Sequence, residues 1–150
     1  MEENTVSGSA AAVESVVPQL ADIRQHWGWV REGLVEIQDG GVPTDELPED
    51  VYAACVNGQA HLWAHPDYFA ITKFVVEHGE RCLLIWKSWA REKGNKTSLG
   101  WHPFLEQIAL DNGCSKMVVH TPHAPLVDYC ITNFDYAVES YILTKKVGGL

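Results

Sequence analysis

Seven histidines and four cysteines are the residues of this 150-residue sequence best equipped for metal or nucleophile chemistry. Their spacing does not assemble either. His61 and His65 are four apart, but they fall on a strand and the turn after it, where that interval does not give a shared helical face. His120 and His123 are three apart, and no acid or cysteine cluster beside either pair completes a four-ligand set. Cys55, Cys82, Cys114 and Cys130 form no C-x-x-C pair. Three of them sit inside apolar runs and Cys114 follows a helix end, the setting of reduced packing thiols in a cytosolic compartment. There is no G-x-S-x-G elbow and no plausible Ser-His-Asp order. The expectation is a protein without a metal, whose chemistry lies in a polar loop, Ala90–Trp101 (AREKGNKTSLGW).

The elements around that loop can be read from periodicity. Leu20, Ile23, Trp27, Val30, Leu34 and Ile37 recur at alternating intervals of three and four, which predicts a helix from about Pro18 to Gln38, stopped by Asp39-Gly40-Gly41. A second, short helix begins at Pro48, with Glu49 and Asp50 beside its positive dipole end and Asn57-Gly58 closing it. Three strand-like runs follow: Gln59–Ala64, Phe69–Glu77 and Arg81–Trp89. The turns at His65-Pro66-Asp67 and His78-Gly79-Glu80 are short, so the three strands are antiparallel neighbours. After the polar loop, a helix is expected from about His102 to Asn112, with Pro103 at its start and Phe104, Ile108 and Leu105 facing inward. A short strand, Lys116–His120, a helix, Ala124–Thr132, and a return to strand character over Phe134–Val147 complete the pattern. The order is that of an α+β domain around a mixed sheet.

Composition bounds the function. Hydrophobic residues make up 46% and charged residues 21% of the chain, the balance of one globular domain. Residues 1–15 are small and polar and read as a flexible N-terminal arm, leaving 16–150 as the domain. With 11 Lys and Arg against 20 Asp and Glu, the net charge of -9 repels phosphate backbones and argues against nucleic acid. No stretch approaches the roughly 18 apolar residues of a membrane span, and the start lacks the basic and apolar regions of a signal peptide. The expected setting is the cytoplasm, with no membrane partner.

The stretch Arg91-Glu92-Lys93-Gly94-Asn95-Lys96 resembles the signature loop of the GNAT acyltransferases: Gln or Arg, two residues, Gly, one residue, then Gly or Ala. Arg91 and Gly94 fill the first two fixed positions, between the fourth strand and the third helix. The element order is similar to that family after its first strand, over about residues 18–147. The resemblance implies a GNAT-like fold, α+β, with a mixed, mostly antiparallel sheet flanked by helices. It implies acetyl-CoA in the cleft where strands four and five splay, its pyrophosphate meeting the backbone of Arg91, Lys93, Gly94, Asn95 and Lys96. Glycine lets backbone N–H groups approach a phosphate, a helix N-terminus adds its dipole, and Arg91 or Lys96 adds charge-assisted bonds. Trp89 and Trp101 could line an acyl or pantetheine groove or could be packing anchors, while Trp86 reads as packing.

Tyr129 stands five residues before Phe134, the spacing at which a family tyrosine protonates the leaving CoA thiolate, so the resemblance nominates Tyr129 as general acid. The chain departs from the family in several places. Lys96 stands where Gly or Ala is usual, Asn133 replaces the glycine before Phe134, and one of the two final strands looks absent. No carboxylate marks the fourth strand as a base; Glu77 and Glu139 are the nearest candidates and read as solvated strand residues. Two functions follow. One is an N-acyltransferase acting on an amine or protein substrate, for which the acidic surface suits a cationic acceptor. The other is a non-catalytic GNAT-fold protein of a bacteriophage, a virion or assembly partner found in the host cytoplasm or the virion.

Overall fold

A computed structural model of the chain describes residues 17–42, 44–92 and 98–148. Two units can be distinguished, one running to His120 and one from Thr121 onward. The first contains a five-stranded sheet in the order β1 (Gln19–Ala21), β2 (His61–His65), β3 (Tyr68–Glu77), β4 (Glu80–Ala90) and β5 (Lys116–Val119). Strands β1 to β4 are antiparallel neighbours, and β5 lies parallel to β4. Helices α1 (Ile23–Asp39), α2 (Pro48–Val56) and α3 (Ser98–Asp111) belong to the same unit. The arrangement is the mixed α+β sheet that the sequence predicts.

Local chemistry sets these elements. Asp22 caps α1 by accepting the Arg24 N–H at 3.0 Å. The Leu47 N–H donates to Asp50 Oδ2 at 2.8 Å, and Pro48 opens α2. The β3–β4 hairpin turns on His78 and Gly79, both with positive φ (53° and 79°), the geometry whose twist matches the flanking strands.

Alternation divides the core between the two sheet faces. Leu62, Phe69 and Ile71 pack with Ile23, Val30, Leu34 and Val51 of α1 and α2. Trp63, Tyr68, Ala70, Leu83 and Ile85 pack with Trp101, Leu105 and Ala109 of α3. Trp101 is therefore a core anchor. Trp63 satisfies its indole inside that core by donating to Thr72 Oγ1 at 2.9 Å.

Three expectations are corrected. The helix predicted from Pro18 starts at Ile23, because Gln19–Ala21 pairs with β2 as β1. Leu20 thus leaves the proposed inner helical face and is 62% exposed. Helix α3 starts at Ser98, not near His102, with Pro103 inside it. Its buried face is carried by Trp101, Leu105 and Ala109, with Phe104 and Ile108 only partly covered. Finally, residues 135–147 form no strand. In the second unit, helix α4 (Ala124–Phe134) runs two residues past its expected end and closes on Asp135 in the left-handed region. Beyond it the chain has strand-forming residues but no ladder, and strand propensity alone does not make a strand.

Candidate functional site

The most informative feature of the sheet is a change of register within β4. Ile71 faces Lys87 while Thr72 faces Ile85, so Trp86 is an extra residue with no partner opposite it on β3. That is a β-bulge. Its effect shows in the side chains. Leu83 and Ile85 belong to the α3 face, yet Trp89, an even step beyond Ile85, packs on the α1 face. In an unbroken strand an even step stays on one face.

The bulge coincides with the divergence of two strands. β5 pairs with β4 from Cys82 to Ile85 and no further. Trp86–Ala90 continues along β3 without β5 on its other side. A strand running past its neighbour offers backbone N–H and C=O groups to an extended ligand, the chemistry of strand addition. At the end of this open length β4 passes into the polar loop, and α3 begins at Ser98.

The structure shows what holds the open half in place. Trp89 stacks on Phe69, with ring centroids 5.7 Å apart, and its indole N–H donates to Glu36 of α1. Gly33 makes this close approach possible. A Cβ there would stand 2.6 Å from Phe69 Cε2 and 2.9 Å from Trp89 Cδ2. Arg91 lies with its guanidinium carbon 5.0 Å from the Trp29 ring centroid and 5.6 Å from that of Trp89. Its Nε donates to the Pro66 carbonyl at 2.6 Å, and its backbone N–H to the Asp67 carbonyl at 2.9 Å. The Nε side of the guanidinium therefore clamps the end of β4 to the β2–β3 turn. On the other flank of the bulge, Lys87 pairs with Glu46 at 2.8 Å, and Lys73 sits 3.7 Å from the Trp86 ring centroid.

Of the residues nominated from sequence, the structure thus brings Trp89 and Arg91 together. Lys93, Gly94, Asn95 and Lys96 lie outside the described residues. Tyr129 belongs to the second unit, half-buried on α4, with its ring edge-on to Phe134 at 5.7 Å. Glu77 is paired with His120 at 3.0 Å. Among the described residues, no three His, Cys, Asp or Glu gather as a metal set. The cysteines are free; burial pushes the Cys55 thiol up to about 11, as befits a packing thiol. Among the described residues, no helix is long and apolar enough to cross a membrane.

Sequence reasoning missed Trp29 and Glu36. The signal was present: Trp29, Gly33 and Glu36 are spaced four and three apart, a second helical stripe beside the apolar one.

The sequence matches no protein-family model and no curated protein. Solved structures do match. The ribosomal-protein-alanine N-acetyltransferase of Brucella melitensis biovar Abortus 2308 superposes with a TM-score of 0.62 at 14% identity, covering 84% of this chain and 96% of its own. The fold of this chain is α+β and GNAT-like. Another neighbour, a probable acetyltransferase, gives a TM-score of 0.65 at 11% identity over 85% of this chain and 97% of its own. An aminoglycoside acetyltransferase from an uncultured soil metagenomic sample, solved with sisomicin, gives 0.56 at 8% identity over 79% and 84%. At these identities the likeness is one of fold, and the site has to be judged on the residues of this chain.

Proposed function

We propose that this chain is an N-acyltransferase that moves an acetyl group from acetyl-CoA to an amine. The observation that carries the reading is the divergence of β4 from β5 at the Trp86 bulge. It leaves Trp86–Ser88 without β5 on one side in a fold shared with acetyltransferases. That open backbone suits the amides of an extended pantetheine arm. Residues Arg91–Lys96 and the start of α3 would receive the pyrophosphate, through backbone N–H groups and helix dipole. In the reaction the amine nitrogen bonds to the acyl carbon, the C–S bond breaks, the thiolate takes up a proton, and the nitrogen loses one to solvent, from which the proton donor is restored. We assign that proton to the Tyr129 hydroxyl. A carboxylate-rich chain with a net charge of -9 favours a cationic acceptor.

Calorimetric titration with acetyl-CoA tests the reading. We expect saturable binding that weakens at least tenfold in Gly94→Trp, whose side chain would fill the phosphate loop. Binding unchanged by that substitution would remove the loop from the site. No binding at millimolar acetyl-CoA would remove the acyltransferase function and favour a non-catalytic role. For Tyr129→Phe we expect acetyl-CoA affinity to stay and thiol release with an amine acceptor to slow by roughly a hundredfold or more, the usual worth of a positioned acid.

A further inference from the structure

The turn that receives Arg91 is itself built on an imidazole. Between β2 and β3 the Asp67 N–H donates to His65 Nδ1 at 3.0 Å. The same turn presents the Pro66 and Asp67 carbonyls to the Arg91 Nε and backbone N–H. The end of β4, and with it the start of the loop that follows, therefore rests on a turn shaped by one nitrogen lone pair. The ring that carries the lone pair is held in place. His65 stacks on Tyr68 with centroids 4.6 Å apart and planes 13° from parallel, and Tyr68 stacks in turn on Trp101 of α3 at 5.8 Å. Only 10% of the His65 side chain is exposed.

A histidine nitrogen accepts a hydrogen bond only while it carries no proton. Here Nδ1 accepts, so the neutral ring keeps its proton on Nε2 and a second proton must go to Nδ1. Nδ1 then becomes a donor facing the Asp67 N–H. The Asp67 carboxylate, 4.0 Å from Nδ1, is the acceptor to which it can turn. Three other groups bear on that exchange. The Arg91 guanidinium, at the end of β4, opposes a second cation at the turn. Burial pushes the Tyr68 phenol of β3 up, so it stays neutral. In α3, next to Trp101, burial disfavours the charged form of His102.

We propose that His65 is a proton-operated positioning residue. Its neutral ring keeps the β2–β3 turn in the form that anchors Arg91. Protonation shifts Nδ1 from the Asp67 N–H to the Asp67 carboxylate, loosens Arg91 and weakens acyl-donor binding in the loop beyond. The last step rests on the acyltransferase reading; the exchange of hydrogen bonds does not.

The test compares the parent with His65→Asn and His65→Ala at pH 7.5 and pH 5.5, on either side of ordinary imidazole titration. The asparagine oxygen can take the same bond from the N–H two residues on and does not titrate, whereas alanine offers no acceptor. Amide hydrogen exchange, corrected for the intrinsic effect of pH, reads the Asp67 and Arg91 N–H groups, and calorimetric titration with acetyl-CoA reads the site. On acidification the parent should lose about fivefold to tenfold more protection at both amides than His65→Asn, and as much more acetyl-CoA affinity, the contribution of one hydrogen bond. His65→Ala should be low in both at either pH, with the far-ultraviolet circular dichroism of all three alike. Equal pH dependence in the parent and His65→Asn overturns the proposal, whatever His65→Ala does. So does a parent whose two amides are equally protected at both pH values. Protection that falls while affinity holds overturns the link from the turn to the site. If acetyl-CoA binds none of the three, the acyltransferase reading fails and the donor-binding step with it, and the exchange of Asp67 and Arg91 alone decides the turn.

Discussion

Strand β4 is one continuous run of sequence with two different fates. Its first half, Cys82–Ile85, is flanked by β3 and β5 and is buried almost completely. Its second half, Trp86–Ala90, keeps β3 on one side and loses β5 on the other. Hydrophobic content does not separate the halves, since the second still carries Trp86, Trp89 and Ala90. A single extra residue does, by breaking the register and turning Trp89 towards α1. The lesson is that a site can be cut from a core strand at small cost, provided something else holds the strand once its neighbour has left. Here that support comes from α1, through Gly33, Glu36 and Trp29, and from the Arg91 clamp on the β2–β3 turn.

Substitutions should therefore behave differently in the two halves. The largest loss of stability is expected for Leu83→Ala, where a fully buried side chain leaves a cavity, about 2–5 kcal/mol by urea unfolding. A loss below about 1 kcal/mol would mean that the first half is not the rigid one. Next is Gly33→Ala. Its new methyl meets two packed rings, and overpacking of about 1–3 kcal/mol should outweigh the gain of roughly 1 kcal/mol that alanine brings to a helix interior. A more stable variant would show that the close approach of α1 to Trp89 is not constrained.

Trp89→Phe keeps an aromatic ring against Phe69 and removes the donor to Glu36, so a loss of about 1 kcal/mol is expected, with little change in the first half. Exchange of the Leu83 and Leu84 amides should stay slow in this variant. Fast exchange there would show that the halves are coupled.

The smallest effect concerns pH. His102 is buried beside Trp101, and burial lowers its pKa from the ordinary 6.5. The folded protein thus holds it neutral while the unfolded chain protonates, so its stabilising contribution is complete above about pH 6.5 and is lost as pH falls through that value towards the folded pKa. His102→Gln should lose less stability than the parent between pH 7.5 and pH 5.5. An identical acid dependence would mean that another group carries it.

Much of this molecule is fixed by local pattern. The three central strands, their turns, α2 and the short β5 follow from alternation, from Pro48 and Asn57-Gly58, and from His78-Gly79, because these signals act over a few residues and need no distant partner. The polar loop between β4 and α3 is also marked by its composition. Other features depend on residues far away in the chain. Gln19–Ala21 becomes a strand only because β2 presents an edge to it, overriding a helical pattern that Leu20 fits. Tyr141–Thr144 has the same strand-forming character and no ladder, because propensity without pairing does not make a strand. The Trp86 bulge is invisible in RCLLIWKSW, since a one-residue mismatch exists only between two paired strands. The partnership of Trp89, Glu36 and Arg91 spans up to 55 positions between Glu36 and Arg91 (91 minus 36) and is set by how α1 lies on the sheet. The sequence determined α2, the three central strands, β5 and the loop that joins β4 to α3, but not β1 or the start of α3. The tertiary structure alone decided where β4 and β5 part, because pairing and packing are properties of two segments at once.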